Sequence, residues 1–375
     1  MGQSAKLWNT LKWLPSLLTQ SLGRRPHPGP LHLIFSLADH FEPSIVPGGG
    51  ERHAPLDEQE RRLENWCRVY PRLVDPWRDC NGFPFRHTYF YPAEQYQRDL
   101  VQRLAEHCRA GWGETEIQLH HGIERPDTAQ RTRQAIEEFR DALVGHGCLS
   151  RLDGTGLARY GFVHGNWALA NSNRGRACGV DNEMQILAET GCYADFTLPA
   201  APNPAQVRKI NAMYECGLPL DQRAPHRRGR DVARGRKVER YPLIMQGPLL
   251  LRWRRPGKNG FAPYIENSAL TTANPPTLDR VQLWRQANIH VTGQPEWVFV
   301  KLHCHGMDPR DEEGMLGEAM TRFLRELRDA EQAGAFHVHF ATAREMVNIL
   351  LAACDGKEGS PGQYRDYRLR LIRAA

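Results

Sequence analysis

Short runs rich in β-branched and aromatic residues recur along the chain, and between them stand longer stretches with apolar residues three or four apart. The first kind predicts strands at residues 31–37 (LHLIFSL), 85–91 (FRHTYFY), 116–120 (EIQLH), 160–163 (YGFV), 193–197 (YADFT), 242–246 (PLIMQ), 297–303 (WVFVKLH) and 335–340 (AFHVHF). The second predicts helices over 57–70, 93–110, 128–145, 182–190, 204–214, 278–288, 311–333 and 343–353. Strand and helix alternate about eight times, which predicts an α/β chain with a parallel sheet and crossover helices. At that count, closure into a distorted (β/α) barrel of about seven to eight parallel strands is expected.

Three stretches depart from the alternation. Residues 199–276 are rich in Pro, Gly and Arg and poor in periodic apolar positions, and are expected to form an insertion on one rim of a barrel spanning 31–355. Residues 356–375 read as a polar, peripheral tail. Within the first 30 residues, 7–22 (LWNTLKWLPSLLTQSL) place Trp8, Leu11, Trp13 and Leu14 on or near one helical face, interrupted by Pro15. This predicts a short amphipathic segment that docks on the body of the protein in preference to a membrane surface. No run reaches the roughly 18 apolar residues needed to span a bilayer.

Composition adds two points. The net charge of +6 comes from one stretch, 223–240, which holds seven Arg and one Lys against Asp231 and Glu239. A nucleic-acid groove spreads basic residues over a face, so nucleic acid is not an expected partner. The run reads as a solvated loop or an arm that meets an anion, and 7–22 and 223–240 are the candidate points of peripheral membrane contact. The nine cysteines are scattered without a Cys-x-x-Cys pair. Reduced thiols and a cytoplasmic setting are the expectation.

Metal-competent residues follow several of the expected strands: Asp39, His40 and Glu42 after the first, His120 and His121 at the end of the third, His164, Asn166 and Trp167 after the fourth, and His303 and His305 at the end of the seventh. In a parallel barrel these ends open onto one face, where active sites form. Imidazole nitrogen and carboxylate oxygen bind a divalent cation such as Zn²⁺ with a position left for water. Such an ion lowers the pKa of the water and polarises a carbonyl, a carboxylate takes the water's proton, and a histidine protonates the leaving amine. His337 and His339 lie within a strand and are expected to line the core. Cys304, between two histidines, is expected to be a buried inert thiol.

With these residues placed, the chain resembles the polysaccharide deacetylase superfamily (the NodB-homology or carbohydrate esterase type) over roughly residues 31–351. It is most similar to bacterial members carrying Asp-His-Phe-Glu-Pro, here Asp39 to Pro43, and a later His-Gly-Asn-Trp-Ala-Leu, here His164 to Leu169. The resemblance implies a distorted barrel of about seven strands, an Asp–His–His metal site, an Asp base and a His acid. The family's first motif ends in two Asp, matched by Ala38-Asp39 or by Asp39-His40. The first alignment makes Asp39 a ligand and leaves no base; the second makes Asp39 the base and His40 the ligand. The second motif has two His four apart. Glu124 stands four after His120, so the second ligand is His121 or Glu124. The final His motif falls on His303 or His305.

The resemblance therefore implies a metal-dependent hydrolase, with Zn²⁺ the expected metal, removing acetyl groups from an N-acetylated carbohydrate. Asp39 is base or ligand, and His303 or His305 is the acid. His40, His120, His121 and Glu124 are ligand candidates, and Glu42, His164, Asn166 and Trp167 contact the sugar. Two other expectations compete: another metal-dependent amide or phosphoester hydrolase, and a glycan-binding homologue without catalysis.

Overall fold

A computed structural model describes residue 9 and residues 12–23, 27, 29–49, 52–254 and 262–372. In chain order the strands are β1 (His32–His40), β2 (His87–Pro92), β3 (Gly113–Leu119), β4 (Ser150–Leu152), β5 (Ala158–His164), β6 (Cys192–Asp195), β7 (Met213–Cys216), β8 (Gly229–Asp231), β9 (Leu243–Met245), β10 (Leu250–Arg254), β11 (Ala262–Glu266), β12 (Trp297–Cys304), β13 (His337–Phe340) and β14 (Leu369–Leu371). The helices are α1 (Leu14–Gly23), α2 (Leu56–Val74), α3 (Arg98–His107), α4 (Ala129–Gly145), α5 (Glu183–Thr190), α6 (Leu278–Ala287), α7 (Glu312–Leu316), α8 (Glu318–Gln332) and α9 (Ala343–Cys354).

The main sheet runs β12-β1-β2-β3-β5-β6-β9-β7-β8. Pairing is parallel from β12 to β9 and antiparallel at β7 and β8. β13 pairs with the first half of β1 and β2 with its second half. The fold is thus α/β with a large, mostly parallel sheet. Among the described residues no ladder joins β9 to β12, and a closed barrel is not shown.

β1 is buried along nearly its whole length, as expected of a central parallel strand with both faces covered. Leu33, Phe35 and Leu37 share a core with the buried stripes of the outer helices, among them Leu63, Trp66 and Tyr70 of α2 and Ile136 and Phe139 of α4. Ile34 and Ala38 belong to a second core on the opposite face, with Tyr193, Met213, Trp297 and α9. Every residue of α9 is buried, and Thr342 and Glu345 close its first turn in a capping box. Below, the first side is the helix face and the second the inner face.

Four expectations are corrected. The segment 199–276 is not a rim insertion throughout: β7, β8 and β9 extend the main sheet, and only the β10–β11 hairpin stands apart. Residues 204–214 form no helix: Asn side chains bond backbone groups, one nearby and one distant in the chain. Ala205 donates to Asn203 Oδ1, and Asn211 (φ 49°) exchanges bonds with Leu249. The basic run 223–240 is not a free loop: Val232 and His226 are buried, Arg230 donates to Glu215 and Arg234 to Gln294. The tail is built in as well. β14 pairs with β4, and buried Arg365 bridges Asp79 and Glu345. At the amino end Trp13 is buried against Ala201, Ile210 and Leu249, while Leu7, Trp8 and Leu11 lie outside the described residues. No helix among the described residues is long and apolar enough to cross a membrane.

Candidate functional site

Successive strand residues point to opposite faces, and partners in register across parallel strands share a face. His40 is in register with Phe90, and Ala38 with His303, which puts His40 and His303 on the inner face. Phe90 pairs with Glu116, and Gln118 follows two residues on along β3, again inward. Asp39 pairs with Cys304 and Tyr89, and His164 with Leu119; these face the helices. The expected residues therefore reach one end of the sheet but separate onto two sides of it.

On the inner side, one nitrogen each of His40 and His305 and a carboxylate oxygen of Glu42 lie within 4.8 Å of one another. The His40 ring is 4.7 Å from that of His305, 6.4 Å from His303 and 6.3 Å from Trp167. Glu42 accepts from Gln118 Nε2 at 2.5 Å and lies 3.5 Å from His120 Nε2. The other nitrogen of His120 meets Glu94 Oε1 at 2.7 Å. Gly165 is required here, since a Cβ would collide with the His120 ring. A cleft of about 760 Å³ opens from this group, walled in part by Glu42, Glu94, His120, Asn166 and Arg310.

Burial, with the neighbouring His305 and His303, holds His40 well below the usual histidine range. Burial and Lys301 do the same to His303. His120 moves the other way. Burial opposes its charge, but the Glu94 hydrogen bond and the nearby Glu42 raise it. The Nδ1 atoms of His40 and His303 and Oδ1 of Asn166 are buried without a hydrogen-bond partner. Trp167 sits at φ 59°, a left-handed conformation that costs a bulky residue on the order of 1–3 kcal/mol.

Asp39 corrects the sequence reading. It is fully buried on the helix face, where it accepts from Gly306 N at 2.7 Å and meets His87 Nδ1 at 2.8 Å. It does not line the cleft and is no base there. His121 turns away from His120 to meet Asp127 at 3.1 Å and Glu183 at 3.0 Å. His164 is buried beside it, ring to ring at 4.9 Å. Neither reaches His40: His121, His164, Cys178 and Glu183 form a separate metal-competent group. Glu124 stands exposed on the cleft rim and in no such group. Cys304 is buried beside Asp39 and His87. Of the other pair, His339 is buried against His32 and Asn81, but His337 is exposed and stacks on His32.

Sequence reasoning gave no site role to Glu94, Gln118, Cys178 or Glu183. Gln118 carried a signal, standing two residues before His120 and so on the same face of the expected strand. Glu94 lies in a three-residue helical turn with no motif around it, and Glu183 opens a helix, a position where an acidic residue is ordinary. Compared with protein-family models and with curated proteins, the chain matches none.

Proposed function

We propose that this chain is a metal-dependent hydrolase that removes acetyl groups from N-acetylated sugars. One observation carries the reading: His40, Glu42, His120, His303 and His305 gather at the carboxyl end of a mostly parallel sheet, beside a polar cleft of about 760 Å³. Clefts at that end are where sheets of this kind hold their ligands. In this reading the sheet approaches a distorted barrel, with Ala269 bridging to His303 across the gap beyond β9.

His40, His305 and Glu42 would hold the metal; two imidazoles and a carboxylate suit Zn²⁺, and the unpartnered Nδ1 of His40 fits a site short of one partner. When bound, the ion polarises the acetyl carbonyl and makes its water acidic. His120, whose protonated form Glu94 and Glu42 favour, gives its proton to the sugar nitrogen as the C–N bond breaks. Glu94, the cleft-wall carboxylate bonded to His120 and outside the metal group, takes the proton of the attacking water. The products are acetate and the free amine. Asn166 Oδ1 accepts from a sugar hydroxyl or amide, and Trp167 offers a ring face to the pyranose.

The test is acetate release from an N-acetylhexosamine oligomer by zinc-loaded protein. Release that vanishes in His40→Ala, together with bound metal, supports the reading. No release from any N-acetylated oligomer overturns it. The burial of Asp39 away from the cleft favours a second reading, glycan binding without hydrolysis, which predicts retained oligomer binding and no acetate.

A further inference from the structure

The second group lies behind β3, on the helix face. His121 follows the end of β3, His164 ends β5, Glu183 opens α5, and Cys178 sits in the loop between the last two. All four are buried, and one ligand atom from each falls within 4.8 Å of the others. None of them lines the cleft except His121, at its edge.

Three features go beyond the clustering. Nε2 of His164 is fully buried, has no hydrogen-bond partner and stands 3.9 Å from Glu183 Oε1, the oxygen that meets His121 Nε2 at 3.0 Å. Two imidazole nitrogens thus converge on one carboxylate oxygen. Cys178 Sγ accepts backbone N–H groups from Asn171 at 3.3 Å and Val180 at 3.4 Å. Amides aimed at sulfur are the hydrogen bonds that a metal-bound thiolate accepts. The far nitrogen of His121, Nδ1, meets Asp127 Oδ2, the carboxylate–histidine arrangement that orients a metal-bound imidazole.

We propose that His121, His164, Cys178 and Glu183 form a closed structural zinc site, distinct from the cleft centre. One thiolate, two imidazoles and one carboxylate make a four-coordinate set without an open position, as structural zinc requires, and thiolate softness excludes Mg²⁺ and Ca²⁺. The role follows from the loop it ties down. Between Trp167 and Ala177 five residues other than glycine take positive φ: Trp167, Ala170, Asn171, Arg174 and Ala177. Gly122, at φ 66°, lets the chain after His121 pass against the Cys178 backbone. A cross-link from β3, β5 and α5 to Cys178 holds this loop in its strained path. The same loop follows Asn166, which lines the cleft, so the site positions that side chain.

Cobalt(II) loading of the full chain tests this independently of hydrolysis. A thiolate-to-cobalt absorption band in the near ultraviolet is expected. It should be lost in Cys178→Ser and kept in Cys304→Ser and His40→Ala. No band, or a band lost in Cys304→Ser and kept in Cys178→Ser, overturns the proposal. Should Cys178→Ser fail to fold, X-ray absorption of the unaltered protein with one equivalent of zinc decides. One sulfur at about 2.3 Å is expected, and a shell of nitrogen and oxygen alone overturns it.

Discussion

His120 and His121 are adjacent in sequence and belong to different environments. His120 looks into an open, polar cleft beside His40, Glu42 and Glu94. His121, at the cleft edge, turns its ring to the buried group of His164, Cys178 and Glu183. In the cleft, Glu94 and Glu42 raise the pKa of His120 against its burial, an arrangement suited to moving protons. Behind the strand, charge is matched: burial pushes Glu183 up, but His164 and His121 bring it down to about 2. Burial pulls His164 down to about 3, and His121 is raised well above its ordinary value by Asp127 and Glu183 against its own burial. The same residue types thus serve reactivity on one face and cohesion on the other, according to whether water and substrate reach them.

The comparison breaks most sharply under substitution. On the cleft side, His120→Ala should lower acetate release by about 10²- to 10⁴-fold, the usual worth of a positioned acid, with an unchanged circular dichroism spectrum. The proton-donor role adds a pH signature. Since the His120 pKa is raised, activity should fall as pH climbs through that raised value, and a rate profile of His120→Ala should lose this limb.

Behind the strand, Glu183→Ala should destabilise by about 3–5 kcal/mol, because it leaves His121 and the Ala170 N–H buried without their partner. Glu42→Ala should cost only about 1 kcal/mol, the scale of one hydrogen bond at a cleft wall. Urea midpoints of the two variants measure the difference; equal losses would erase the distinction between the regions. Trp167→Ala sits between them, in the loop that joins the two centres. Losing a stacked ring should raise KM by about 2- to 13-fold, equivalent to about 0.5–1.5 kcal/mol.

Two background measurements frame these. Burial lowers His32 and His107, each to about 4, and both lie outside the two centres. They are neutral in the fold and titrate near the ordinary value when unfolded. The unfolded chain therefore binds more protons between about pH 6.5 and 4, and stability should fall as pH drops through that window. Thermal melts against pH check this, and a flat profile would contradict it. The smallest effect belongs to the basic run: Arg228→Ala, at an exposed position, should change stability by less than about 0.5 kcal/mol.

Much of the architecture was legible in the chain. Each strand expected from apolar patterning is present, with ends shifted by a few residues, and the helices over 57–70, 128–145, 182–190, 278–288 and 343–353 are all found. Helices and central parallel strands bury continuous apolar surface, and that requirement is written directly into local sequence. β7 and β8 were missed because their segments carry Arg, Glu and Tyr, whose ladder bonds and side-chain pairs form only with partners distant in the chain.

The gathering of His40, His120 and His303 at one end also followed from sequence, since the carboxyl ends of parallel strands point the same way. Which side each residue faces did not. A shift of one residue moves a side chain through the sheet, and the motif Asp39-His40 sits across that boundary. Only the register of β1 against β2 and β12 sends His40 to the inner face and Asp39 to the helix face. The partners that set protonation, Glu94 for His120 and Glu183 for His121 and His164, lie 26 and at least 19 residues away along the chain. Sequence determined which residues arrive at the carboxyl end. Packing of the sheet against its helices decided which of them meet water and which meet each other, because that depends on contacts between distant segments that no local pattern encodes.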